Sequence, residues 1–131
     1  MKLRIQGNSL RLRLTQSEVE AFRENGRVEE HIRFRPGEDM VYALEASDLV
    51  EHLAARYEEG RVTLLAPSAQ GATWADTDQV GMEGEQRIEG EEVLTILVEK
   101  DFKCLHGPAS RQEEDAFPNP LQPLQPQINT D

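Results

Sequence analysis

The strongest constraint on this 131-residue chain is a period-two alternation of apolar and polar side chains that recurs through its first hundred positions. Leu3 and Ile5 alternate with Lys2 and Arg4, and Leu10, Leu12 and Leu14 with Arg11 and Arg13. Val28, Ile32 and Phe34 alternate with Glu29, His31, Arg33 and Arg35, with Glu30 interrupting the apolar face. Met40, Tyr42, Leu44 and Ala46 follow, then a weaker run of Leu53, Ala55 and Tyr57, then Val62, Leu64 and Ala66. A short run at Val80 and Met82 and a strong one at Leu94, Ile96 and Val98 complete the set. Successive strand side chains point to opposite faces, so each run predicts a strand with one buried face.

Two segments break the alternation. Thr15-Gln16-Ser17-Glu18 has the form of a capping box, in which the Thr15 hydroxyl and the Glu18 carboxylate satisfy each other's backbone amides. The helix it starts buries Val19 and Phe22 and ends at Asn25-Gly26. Pro67 stands where a helix start tolerates proline, and Ala69 to Ala75 predict a second, shorter helix with Trp74 turned inward and Gly71 weakening it. Gly7-Asn8, Pro36-Gly37, Glu59-Gly60 and Glu89-Gly90 predict turns, and Gly81 and Gly84 a bulge or bend.

Shifted by 52 residues, the pattern overlays itself. Leu10, Leu12 and Leu14 fall on Val62, Leu64 and Ala66, Phe22 falls on Trp74, and Leu44 and Ala46 fall on Ile96 and Val98. Identity between the halves is near chance, so the match lies in residue type and in the positions of breaks. The expected architecture is α+β: a duplicated β-β-α-β-β unit with halves at about 1–48 and 53–100. It gives about eight mostly antiparallel strands in a curved sheet or wide barrel, with two helices packed on it. One domain is expected over 1–106. Residues 107–131 hold five of the seven prolines and predict an extended or disordered Pro/Gln-rich tail that Phe117 could pin to the body.

Charge narrows the function. The formal net charge is −11, which disfavours nonspecific contact with nucleic acid or anionic membrane. The longest charge-free stretch, Val62 to Ala75, contains Pro67 and Gly71 and is too short to span a bilayer. The N-terminus lacks the apolar run of a signal peptide, and Cys104 is the lone cysteine, which fits a reducing compartment. A soluble cytoplasmic protein is expected. Residues 1–35 are nonetheless mildly basic, and a basic quarter in an acidic chain can focus an anion.

Several chemistries lack their motifs. No nucleotide-binding glycine loop is present. Asp76-Thr77-Asp78-Gln79-Val80-Gly81 begins like a calcium loop but has Val80 at a ligand position and Arg87 at the twelfth. Cys104 and His106 supply one C-x-H pair where closed zinc sites use four ligands. The polar strand faces remain as the candidate site. Lys2, Arg4, Arg11, Arg13, His31, Arg33 and Arg56 share a parity with Glu45 and Glu99. If that face were concave, its arginines would grip phosphate or carboxylate. Val41, Ala43, Leu65, Val93 and Leu97 share the parity too, which suggests a partly covered face.

GNSLRLRLTQSEVE, TDQVG, LVEKDF and a later FPNP together resemble a small bacterial family of unknown function over about residues 1–120. That resemblance implies no activity. The topology also looks like the CYTH or triphosphate-tunnel barrels, whose members act on or bind triphosphate compounds with a divalent metal. Their N-terminal E-x-E-x-K pattern is absent, since the first strand here reads KLRIQ.

The leading expectation is a non-catalytic binding or interaction domain. It takes a small anionic ligand on Arg4, Arg11, Arg13, His31, Arg33 and Glu45, or a protein partner, and needs no cofactor. The alternative is a tunnel-type phosphohydrolase using Mg²⁺ or Mn²⁺ at Glu45 and Glu99.

Overall fold

A computed structural model describes residues 1–102 and 115–118. The alternating runs form β1 (Lys2–Gln6), β2 (Ser9–Leu14), β3 (Arg27–Arg35), β4 (Glu38–Ser47), β5 (Ala54–Glu58), β6 (Arg61–Pro67), β7 (Gly81–Glu89) and β8 (Glu92–Lys100). The helices are α1 (Gln16–Asn25) and α2 (Ser68–Asp76). The Thr15 capping box forms, and Gly26 closes α1 in the left-handed conformation that glycine adopts without strain.

The strands do not make one curved sheet or a closed barrel. They divide into two four-stranded sheets, sheet A in the order β1-β2-β8-β7 and sheet B in the order β3-β4-β6-β5. Each hairpin is antiparallel, whereas the central pairs β2–β8 and β4–β6 are parallel. The reason is the path of the chain. Each helix carries it from one sheet to the other, so a half supplies one hairpin to each sheet and the two halves meet at the sheet centres.

The pairing repeats between halves. β1 and β2 correspond to β5 and β6 at the 52-residue offset, but β3 and β4 correspond to β7 and β8 at an offset of 54. Leu12 opposite Val98 therefore matches Leu64 opposite Leu44, and the irregularity between Arg33 and Arg35 matches that between Arg87 and Glu89. The two extra residues lie in the loop after α2, where Trp74 Nε1 donates to the Val80 carbonyl. Val28 thus corresponds to Met82, not Val80, and β7 runs much further than a short strand at Val80 and Met82. Its glycines do not mark a bulge: Gly84 admits Leu53, whose Cβ lies 3.1 Å from where a Gly84 Cβ would stand.

One core lies between the sheets. Leu12, Leu14, Leu44, Leu64, Ala66, Met82, Ile96 and Val98 face it from the strands, with Val19, Phe22, Trp74 and Ala75 from the helices. Phe22 and Trp74, at matching positions, meet edge to face at 6.0 Å. The helices seal the end where β2, β4, β6 and β8 finish. The four hairpin turns lie at the other end, where the inward positions Ile5, Phe34, Tyr57 and Ile88 stay exposed.

The packed body also includes residues 115–118. Ala116 is buried, the Phe117 amide donates to the Asp101 carbonyl, and the Phe102 and Phe117 rings pack edge to face. Cys104, His106 and the tail beyond residue 118 lie outside the described residues.

Candidate functional site

Because even positions of β2, β4, β6 and β8 feed the core, their odd positions face away from it. The candidate residues all take that outward face, but on two different sheets rather than in one shared hollow. Arg4, Arg11 and Arg13 lie on sheet A with Lys2. His31, Arg33, Glu45 and Arg56 lie on sheet B.

On sheet A, Lys2 stands opposite Arg13, and Arg4 opposite Arg11. Side chains directly opposed on antiparallel strands lie about 5 Å apart at Cβ. These four cations line a depression of about 180 Å³. Glu99, on the neighbouring strand, accepts from Arg11 Nε at 2.7 Å and Arg13 Nε at 2.9 Å through one oxygen. Lys2 reaches Asp101 at 3.1 Å. Arg4 forms no ion pair among the described residues. The positive side of the face is therefore only partly compensated.

On sheet B most of the charged side chains pair locally, although Arg33 and Arg61 form no ion pair among the described residues. Arg27 pairs with Glu29 and Glu45, His31 with Glu29 at 2.8 Å, and Arg56 with Glu58 at 3.4 Å. The Arg27 guanidinium draws the Glu29 carboxyl below its ordinary pKa, with His31 adding to the effect. Val41, Ala43, Thr63 and Leu65 are buried beneath these long side chains. His31 and Arg33 line a separate cleft with Asp39, Glu59 and Arg61, where the signs are mixed.

Glu45 and Glu99 occupy equivalent positions in different sheets, and each is engaged by arginine. They do not converge on a single metal position. Among the described residues, no three His, Cys, Asp or Glu side chains gather into a metal-binding group.

Two polar clusters were missed from the sequence. The part-buried Met1 amine binds Glu18 and Glu30, and Tyr42 Oη donates to the Met1 carbonyl at 2.8 Å. Burial opposes the amine's charge, yet the hydrogen bonds it donates to Glu18 and Glu30, with their negative charges, prevail and raise its pKa. Glu30 interrupting an apolar face was the available signal. The second is Lys100, the next inward position after Ile96 and Val98. Its ammonium donates to the Thr77 carbonyl at 2.6 Å and lies 5.8 Å from the Trp74 ring and 5.3 Å from that of Phe117. Burial lowers its pKa, partly countered by Asp78. Glu18 and Glu30 of the first cluster also line an open cleft of about 350 Å³ with Lys2, Arg13, Asp101 and Asp115.

Comparison with known proteins adds membership and nothing chemical. The family described as "Family of unknown function (DUF7009)" matches residues 1–121. The chain belongs to that family. Its match takes in both sheets and the docked residues 115–118, so DUF7009 spans the whole body described above. No curated protein and no solved structure matches the chain. The tunnel-barrel topology finds no support in the two separate sheets. Among the described residues, no helix is long and apolar enough to cross a membrane.

Proposed function

We propose that this protein is a non-catalytic cytoplasmic binding domain that recognises anionic groups on the outward face of sheet A. The observation that carries the reading is the in-register block of Lys2, Arg13, Arg4 and Arg11, which among the described residues is opposed only by Glu99 and Asp101 and leaves Arg4 in no ion pair. Guanidinium groups bind carboxylate and phosphate through paired N–H donors, which suits them to this role better than ammonium groups. The shared register of the two sheets supports descent of both halves from one copied unit. On that view the equivalent positions of sheet B hold Ala54, Arg56, Thr63 and Leu65, with Arg56 paired to Glu58, so the four-cation block belongs to sheet A.

The test is thermal unfolding against phosphate, pyrophosphate and citrate. A ligand at 100 times its dissociation constant stabilises by about 2.7 kcal/mol. Stabilisation that disappears in Arg4→Ala and Arg13→Ala but persists in Arg33→Ala supports the reading. Equal loss in Arg33→Ala, or no response in the native protein, overturns it.

A further inference from the structure

The outward face of sheet A is divided by sign. Its rows run Lys2, Arg13, Glu99, Gly81, then Arg4, Arg11, Leu97, Glu83, then Gln6, Ser9, Thr95, Glu85. The β1 and β2 side is basic. Over these rows the β7 side carries Glu83 and Glu85, both exposed, and neither forms an ion pair among the described residues; Arg87, the next outward position of β7, donates to the Gly90 carbonyl at the hairpin turn. Between the two sides lies Leu97, half-buried. The equivalent row of sheet B, Arg56, Thr63, Ala43, Glu29, covers its centre completely, with Ala43 1% exposed. Sheet A thus leaves cations at one edge, carboxylates at the other and an apolar residue between.

We propose that this face pairs with the same face of a second copy of the chain. The inference rests on reading the basic strands as a carboxylate-recognising surface, and names what supplies the carboxylates. The charge pattern selects the symmetry. A twofold axis parallel to the strands, passing between β2 and β8, lays β1 of one copy over β7 of the other and keeps each row level with itself. Arg4 then faces Glu83 of the second copy, Leu97 faces Arg11, and Arg13 faces Glu99. An in-plane axis perpendicular to the strands would instead set basic strand on basic strand. Face-packed sheets stand about 10 Å apart, which extended arginine and glutamate side chains span from opposite sides. The contact is isologous, so it closes at two copies. The overall charge of −11 opposes association and holds it weak.

The experiment is sedimentation of the full chain from about 1 μM to about 1 mM, the range in which a weak dimer dissociates. Dimerisation that weakens at least about tenfold between 50 and 500 mM salt is expected. Arg4→Glu and Glu83→Arg each place like charges together twice and should be monomeric alone. Mixed in equal amounts they restore both contacts, and the mixture should dimerise; so should the doubly substituted chain. A monomeric native chain over the whole range, or a mixture that stays monomeric while native protein dimerises, overturns the proposal. Native protein that stays monomeric yet is stabilised by pyrophosphate ends this inference and leaves the anion reading standing. Dimerisation with rescue but no response to small anions supports this inference and ends the small-ligand reading.

Discussion

Sheets A and B carry equivalent residues at several outward positions and treat them differently. Glu99 and Glu45 are equivalent, as are Arg4 and Arg56, and Glu83 and Glu29. On sheet B these groups find partners on their own or the next strand. On sheet A the cations gather mainly on β1 and β2, Glu83 and Glu85 stay unpaired on β7 among the described residues, and Glu99 and Asp101 reach the cations. Cross-strand neighbours, not the residues at those positions, decide whether a charged side chain is a structural partner or an available one.

The seams between the sheets differ in the same way. At β5 and β7, Leu53 sits on Gly84, and the Gln86 side chain accepts from the Ala55 amide at 2.8 Å. At the equivalent place beside β1 and β3, Met1 stands for Leu53 and Glu30 for Gly84, and an ion pair replaces packing.

Making the two seams alike gives the largest effect. Gly84→Glu would force a side chain and a charge into Leu53, costing about 3 kcal/mol in chemical denaturation, while Glu30→Gly on the other seam should cost less. If both cost the same, the seams are not closed by different means.

Next come the equivalent glutamates. Glu99→Ala releases two arginines from a carboxylate that is 15% exposed and should cost about 2 kcal/mol. Glu45→Ala releases the more exposed Arg27 contact and should cost under about 1 kcal/mol. Glu99→Gln should also strengthen pyrophosphate stabilisation in thermal unfolding, because it removes the internal competitor. Glu45→Gln should leave that stabilisation unchanged, and an equal gain would erase the distinction between the sheets.

The smallest effect concerns residues 115–118, beside sheet A. The Ser17 hydroxyl donates to the Asp115 carboxylate and lowers its pKa below the ordinary value. A carboxyl held low when docked contributes fully above its ordinary pKa and loses that contribution as pH falls through the lowered one. Hydrogen exchange at the Phe117 amide should therefore show less protection, once corrected for intrinsic rate, at strongly acidic pH than at neutral pH. Asp115→Asn should flatten that difference; an unchanged pH profile in that variant would remove Asp115 from the docking.

Local pattern made much of this legible. Alternation located the strands, Thr15 and Gly26 bracketed α1, and Phe22 and Trp74 were placed in the core by their neighbours alone. The inward and outward parity of Arg11, Arg13, His31 and Arg33 was also readable. The offset of 54 after α2 was not, because a two-residue insertion in a loop leaves period-two parity unchanged. Nor was the use of Glu30, whose partners Met1 and Tyr42 come from other strands.

The sequence by itself determined which side of each strand would be wet, since alternation is a property of one strand and needs no partner. Only the tertiary structure decided that those wet sides belong to two sheets and that Glu99 and Glu45 sit apart. Strand order depends on where each helix returns the chain, and the pairing free energy that settles it is shared among residues far apart in sequence.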